Sequence, residues 1–414
     1  MQNSGGVVIL MQRSFDWEKI SFSVGSAEGI ESIRGNQSFR PFSEDTIEFL
    51  AALSEKLRET TNLHKMPDVA TFAFWCRKEH LKQLKEKYKI HGSRRLGRGV
   101  SLHFAPSNIP MLFAFTMTAG LLAGNSVIVR LSQKETIQES VFILAMVELL
   151  EKDFPQFYER IVLCRYKHEK IITDYLSSLC DVRVIWGADT SVNEIRKSPL
   201  PVRAVELPFA SRGSAAFFEA EKVLSTEELD MLVQNFYNDT YLNDQNACSS
   251  PQIIFWCGNC DQVRKAQERF WETLYQHLTE KKYQIPETFA VQKLDSALMM
   301  AVDFEGIQII RHENRIVRVQ VPKLCESMWN YTVPGGFFIE SQGNSMKDMK
   351  GIFSHYCQTV CVYGKDRGDI MDTLIKWRVS GVDRIVPVGH ALDFSLVWDG
   401  FNLIESMSRQ IDIM

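Results

Sequence analysis

The chain has 414 residues, 45% hydrophobic and 24% charged, with a formal net charge of −4. That length supports two domains with separate cores, and the composition is that of an ordinary globular protein. The charge balance excludes the basic footprint of a nucleic-acid binder, and clusters such as Lys82, Lys85 and Lys87 are interleaved with acids in the manner of a solvated helix face. Nine cysteines at irregular spacing point to free thiols in a cytoplasmic setting rather than to a disulfide framework. The start, Met1 to Gly6, lacks the basic residues and apolar core of a signal peptide.

Along the chain, a short apolar run at Val7–Met11 is followed by two amphipathic helices. The first is expected from Glu44 to Thr60, capped by Ser43, with Ile47, Leu50, Leu53 and Leu57 as its apolar stripe. The second is expected from Pro67 to Lys87, and a basic link, Arg94–Gly99, follows. Strands and helices then alternate. The strand Val100–Phe104 leads to an apolar helix from Pro110 to Gly124. The strand 127–131 leads to a helix over Glu135–Lys152. The strand Arg160–Cys164 leads to a helix over His168–Leu179, and the strand Val182–Trp186 closes the series. Phe104 to Val129 carries no charge and is long enough to span a membrane, but Pro106, Pro110, Gly120 and Gly124-Asn125 divide it into strand, helix and strand. No membrane span is therefore expected. A second strand–helix series begins at Ser214–Phe218 and includes the strand Gln252–Trp256. Such alternation predicts doubly wound parallel sheets.

Cys248 stands out by its setting, Asn243-Asp244-Gln245-Asn246-Ala247-Cys248-Ser249-Ser250-Pro251, small and polar just ahead of a strand. A thiol so placed suits a nucleophile that forms a thioester, whereas Cys76 and Cys164 sit inside apolar runs as structural cysteines do. Cys257-Gly258-Asn259-Cys260 reads as a turn. The next cysteine is Cys325, no second pair lies at zinc spacing, and His-Glu-x-x-His is absent, so no metal site is expected. No Gly-x-Gly-x-x-Gly fingerprint opens a helix. His103 could orient the site near Asn108, but reads rather as a partly buried sheet histidine.

Three further segments carry a family likeness: Pro106-Ser107-Asn108-Ile109-Pro110, then Gly124-Asn125 before the strand ending Arg130-Leu131-Ser132, then the run from Gly381 to Gly400. With the Cys248 segment, the chain from about residue 90 onward resembles the aldehyde dehydrogenase superfamily. The run from Gly381 to Gly400 narrows the likeness: it resembles the acyl-CoA reductase branch, the fatty acid reductases of bacterial bioluminescence systems. The resemblance implies an α/β fold with two doubly wound parallel-sheet domains: a cofactor-binding domain over 1–212, a catalytic domain over 213–395 and a C-terminal segment over 396–414. It implies NADPH-dependent reduction of an acyl-CoA or acyl-protein thioester to the aldehyde, with Cys248 as nucleophile and Asn108 as oxyanion donor. On residue grounds alone, without the Cys248 motif, Asn108 reads rather as a turn residue capping the apolar helix.

Cofactor contacts fall, by the same resemblance, on Arg130, Ser132, Gln133, Gly187 and Thr190. Gln133, between Arg130 and Lys134, replaces a glutamate frequent in NAD-preferring members, which favours NADPH. The bland readings are an exposed strand end at 130–134 and a strand-to-helix turn at Gly187 with Asp189 or Thr190 as cap. Glu206-Leu207 is followed by Pro-Phe instead of the Gly-Gly of hydrolytic members, so Glu206 is either a proton carrier or a solvated loop carboxylate. An acyl-protein synthetase partner and homo-oligomerisation are also implied. The competing readings are an aldehyde dehydrogenase oxidising its substrate to the acid, and an inactive acyl-carrying or assembly protein.

Overall fold

The computed structural model describes residues 16–60, 63–88 and 94–413. The run at 7–11, the start at 1–6, and Gly92 and Ser93 lie outside the described residues. The chain forms two compact units: one runs up to Ala210 and regains the chain from Leu396 onward, and the other is Ser211–Ser395. The stretch 396–414, set apart as its own segment from the sequence, thus packs into the first unit.

The first unit is built on a six-stranded sheet of order β1-β5-β4-β3-β6-β7. Its strands are β1 (Ser21–Val24), β3 (Val100–Phe104), β4 (Ser126–Arg130), β5 (Ile161–Arg165), β6 (Val182–Trp186) and β7 (Val205–Phe209). All pair in parallel except β1, an antiparallel edge. The central strands read as near-continuous apolar runs because helices cover both faces, and β3 and β6 are buried at every position. The helix Leu112–Leu122 has no polar face and is buried at all its residues, as a helix enclosed within a unit must be. Among the described residues no helix is long and apolar enough to cross a membrane.

Two expectations need correction. The single helix over Pro67–Lys87 is two, Pro67–Trp75 and Lys78–Lys87, because Arg77 turns extended. The Arg77 guanidinium donates to the Phe74 carbonyl (3.0 Å) and the His80 ring to the Trp75 carbonyl (2.6 Å), taking up the last acceptors of the first helix. The basic link is not merely a connection: Arg95–Gly97 forms β2, antiparallel to a short C-terminal strand, Ser408–Gln410. Arg95 donates to Ser408 Oγ (2.7 Å) and to the carbonyls of Glu405 and Ser408 (2.6 and 3.1 Å), fixing the C-terminal stretch in the first unit.

The second unit holds a seven-stranded sheet of order β10-β11-β12-β9-β8-β13-β14. These strands are β8 (Gly213–Glu219), β9 (Pro251–Cys257), β10 (Gln308–His312), β11 (Ile316–Gln320), β12 (Phe337–Gly343), β13 (Cys357–Tyr363) and β14 (Arg384–Pro387). Only β10, on the edge, runs antiparallel to its neighbour. Successive residues of one strand enter opposite cores: Phe217 and Phe255 pack on one face, Phe218 and Trp256 on the other.

Candidate functional site

In the second unit, the helix Leu229–Thr240 passes through a 3₁₀ turn, Tyr241–Asn243, into the loop that carries Cys248 and then into β9. Asp244 and Gln245 are consecutive non-glycine residues with positive φ, 48° and 59°. Such a pair is disfavoured by about 1–2 kcal/mol per residue, so it persists only where surroundings impose it. Here they do. The Gln245 N–H donates to the Thr240 carbonyl (2.7 Å), the Tyr283 hydroxyl to Asp244 Oδ1 (2.7 Å), and the Gly335 N–H to the Asp244 carbonyl (3.0 Å). The loop is presented at the amino edge of the sheet, where the Ser214 hydroxyl donates to the Cys248 carbonyl (2.7 Å).

Cys248 is half-buried and forms no disulfide. Cys76, Cys164, Cys180, Cys357 and Cys361 are buried, and burial pushes their thiols up, Cys164 to about 12, which keeps them protonated and inert. Cys257 is also raised by burial, while Cys260 is exposed at the start of the helix Cys260–Glu280, where the Asn259 side chain accepts from the Gln262 N–H (3.0 Å). The turn expected at 257–260 is therefore a capping box. Among the described residues no group of three or more His, Cys, Asp or Glu comes together as a metal centre would need.

Lys293 supports the same region from beneath. It is 1% exposed on the helix Glu287–Asp303, and its ammonium donates to the carbonyls of Asn314 and Gly335. Burial pulls its pKa down to about 7. The folded value thus lies below the unfolded one, near 10.4, so between these pH values the unfolded chain binds the extra proton and stability rises with pH. Melting curves of the wild type and Lys293→Met should show a gap that shifts in favour of the wild type from pH 7 to pH 9.5. A gap independent of pH would contradict the assignment.

In the first unit, β3 pairs with β4 on one side and β6 on the other, so the chain reverses direction across the sheet at this point. In open α/β sheets, ligands bind outside the carboxyl ends of strands at such a switch point. Asn108 lies exposed on the turn after β3. The following helix has Met111 at its N-cap position, so Asn108 lies three residues ahead of that position. Arg130, Ser132 and Gln133 leave β4, and Gly187 and Thr190 leave β6. These positions follow the carboxyl ends of adjacent strands.

Arg130 and Gln133 converge: Arg130 Nη2 (3.2 Å) and Gln133 Nε2 (2.6 Å) both donate to the Tyr166 carbonyl, and the Arg130 guanidinium lies 5.5 Å from the centre of the Tyr166 ring. Glu135 and Glu139, which follow in the chain, both pair with Arg165. The Ser132 hydroxyl donates to the Lys134 carbonyl (2.9 Å). Thr190 is exposed in the first turn of the helix Asp189–Arg196, whose N-cap is Ala188 without a side-chain cap, so neither Asp189 nor Thr190 takes the capping role. His103 is fully buried, its Nδ1 2.7 Å from Thr116 Oγ1, and burial pulls its pKa down to about 3. It is a core residue of the sheet.

Glu206 is not on a solvated loop. It lies within β7, and its two carboxylate oxygens pair with Arg183 and Arg196. Arg183 is itself buried and also donates to Ser177 Oγ (3.1 Å) and the Ser198 carbonyl (2.8 Å).

The model of the acyl-CoA reductase (LuxC) family matches residues 41–304, more than half of the sequence. The chain belongs to that family. It is 22% identical over 304 residues to a long-chain acyl-protein thioester reductase of Vibrio harveyi, covering 72% of this chain and 60% of that one. A protein of the same name from Aliivibrio fischeri is 20% identical over 301 residues, covering 70% and 58%. The match thus spans less than two thirds of either relative. Among solved structures, indole-3-acetaldehyde dehydrogenase in complex with NAD+ superposes with a TM-score of 0.64 at 11% identity, covering 92% of this chain and 86% of that one. The fold is that of the aldehyde dehydrogenases.

Two of the segments that carried the family likeness prove to be braces. Gly124 has φ +91°, and a Cβ there would lie 2.2 Å from the Phe39 carbonyl oxygen. Asn125 is buried and makes four bonds to three segments, accepting from the N–H groups of Arg98 (2.8 Å) and Gly99 (3.1 Å) and donating to the carbonyls of Gly120 (3.3 Å) and Met407 (2.9 Å). In the run from Gly381, the N–H groups of Gly389 and Ala391 bind the buried carboxylate of Asp239 (2.6 and 2.8 Å), on the helix that leads to the Cys248 loop. Gln245, Ser214 and Lys293 carry no sequence signal for these roles, because their partners are backbone groups distant in the chain, and Tyr166 carries none because it enters through its own carbonyl.

Proposed function

We propose that this chain reduces an acyl thioester, borne by coenzyme A or by a protein, to the aldehyde with NADPH, through an acyl group held on Cys248. The observation that carries this reading is a half-buried thiol on a clamped loop, in a chain of the acyl-CoA reductase family. As a thiolate, Cys248 attacks the acyl carbonyl carbon. A new C–S bond forms, the donor's C–S bond breaks, and the donor thiol leaves with a proton from solvent. The charge that develops on the carbonyl oxygen is assigned to the Asn108 side-chain amide and the Cys248 N–H. When bound, NADPH supplies the hydride that reduces the acyl carbon. Collapse of the reduced centre then breaks the bond to Cys248, freeing the aldehyde and restoring the thiolate.

The residues at the end of β4 suit such a cofactor. Arg130 and Lys134 offer positive charge, Gln133 offers no opposing anion, and the donors gathered at Tyr166 match the needs of a phosphate-bearing ribose. Gln133→Glu should therefore raise the Kd for NADPH more than that for NADH, through repulsion of the 2′-phosphate. Equal weakening of both, measured by fluorescence titration, would mean that this side chain does not face the adenosine ribose.

The ion pairs of Glu206 favour a structural carboxylate over a water-activating base, which supports reduction over oxidation to the acid. Family membership is the support for an acyl-protein synthetase as donor, for a homo-oligomer and for a cytoplasmic setting. The test is NADPH oxidation against a chain-length series of acyl-CoAs with the aldehyde identified directly. Thioester-independent oxidation of aldehydes to acids, with no NADPH consumption on any acyl-CoA, would refute the proposal.

A further inference from the structure

We propose that Gln245 and Ser214 are positioning residues that set the attack geometry of Cys248, an inference that rests on Cys248 being the nucleophile. Gln245 is 1% exposed, and its side-chain amide is saturated. Oε1 accepts from the N–H groups of Gly336 (2.9 Å) and Phe337 (3.2 Å), and Nε2 donates to the carbonyls of Pro251 (2.9 Å) and Phe337 (3.1 Å). An amide side chain offers two donors and one two-fold acceptor, so every site is used. Pro251 opens β9 and Phe337 opens β12, adjacent parallel strands. The side chain thus adds a rung between them at the amino edge, three residues before Cys248.

Ser214 takes hold on the other side. Its hydroxyl donates to the Cys248 carbonyl (2.7 Å) and accepts from the Thr359 N–H (3.2 Å), linking the loop to the starts of β8 and β13. Four strands consecutive in the sheet, β12, β9, β8 and β13, therefore grip the nucleophile's loop through two buried side chains. A bond to the carbonyl of Cys248 fixes the peptide plane beside its Cα, and the Gln245 amide fixes where the loop enters. In the proposed reaction both side chains act through Cys248 and neither takes part in bond making or breaking. The two consecutive left-handed residues before the cysteine show that the surroundings impose the loop's shape.

The test uses the full chain and myristoyl-CoA, and compares acylation in a single turnover with alkylation of Cys248 by iodoacetamide, a small reagent tolerant of approach angle. In Ser214→Ala and Gln245→Glu, acylation should fall by about 10- to 100-fold at little-changed KM, because small misplacements cost that much in oriented reactions. Alkylation should fall less than about threefold, since it needs thiolate and access more than alignment. Ser214→Thr, which keeps the hydroxyl, should recover most of the rate. If Gln245→Glu fails to fold, the Ser214 pair decides. Wild-type acylation in the variants, or equal loss of both reactions without rescue by threonine, would overturn the proposal. Should Cys248→Ala retain the acyl label, the nucleophile itself is misassigned and both readings fall; loss of label there with wild-type acylation in the variants would sink the positioning role alone.

Discussion

Cys248→Ala should abolish both covalent labelling by acyl-CoA and aldehyde formation. Of the cysteines in the described residues, five are buried and held protonated, which leaves Cys248, Cys257, Cys260 and Cys325 within reach of solvent. Among these four, Cys248 sits on a loop that two buried side chains fix at the amino edge of the sheet. Without the thiol, the acyl group has no covalent carrier, and the residual rate should fall to that of the bound reactants alone. The check is mass spectrometry of the labelled protein together with an aldehyde assay. Label that persists in Cys248→Ala, or that moves to Cys257 or Cys260, would remove the nucleophile assignment.

The second large effect is expected at Asn108. Losing one oxyanion donor typically lowers kcat by about 10²–10³-fold, since the donor acts on charge that develops only in the transition state. Asn108→Ala should show this loss at little-changed KM. Because Asn108 is an exposed turn residue, any loss of stability should stay within about 2 kcal/mol, the scale of a lost local turn or cap bond. Steady-state kinetics and a melting curve on the same preparation separate the two effects. A kcat within tenfold of the wild type, or a loss that merely follows unfolding, would return Asn108 to the role of a turn residue.

Much of the fold was readable where pattern and burial coincide. The strands Val100–Phe104 and Val182–Trp186 lie where they were expected, because a strand buried on both faces must be a short unbroken apolar run. The edge strands β1 and β10 were missed: both are short and antiparallel, β10 is mostly exposed and β1 buries only Val24, so neither period nor hydrophobicity marks them. The break at Cys76-Arg77 is decided by side chains competing for carbonyls, which an apolar stripe does not register.

For the site, the small polar surroundings of Cys248 were visible in the sequence, whereas the grip on it was not. Gln245 bonds to Phe337, 92 residues away, and Ser214 reaches Cys248 over a separation of 34. Such bonds depend on strand order, and strand order was not legible. Glu206 shows the opposite error. A glutamate beside Leu-Pro looked like a loop residue, yet β7 pairs with β6 in a register that sets it opposite Arg183. The opposite charge on the neighbouring strand decides its surroundings.

The central claim is that the acyl group on Cys248 leaves by reduction and not by hydrolysis. It is tested most directly by a single turnover of isolated acyl-enzyme, with and without NADPH, following aldehyde and free fatty acid together. The acyl-enzyme should persist without cofactor and discharge as aldehyde when NADPH is added, with Glu206→Gln behaving likewise within about tenfold. Rapid release of free fatty acid in the absence of NADPH, abolished by Glu206→Gln, would show that a water-activating base operates at this thioester and would contradict the reductive account.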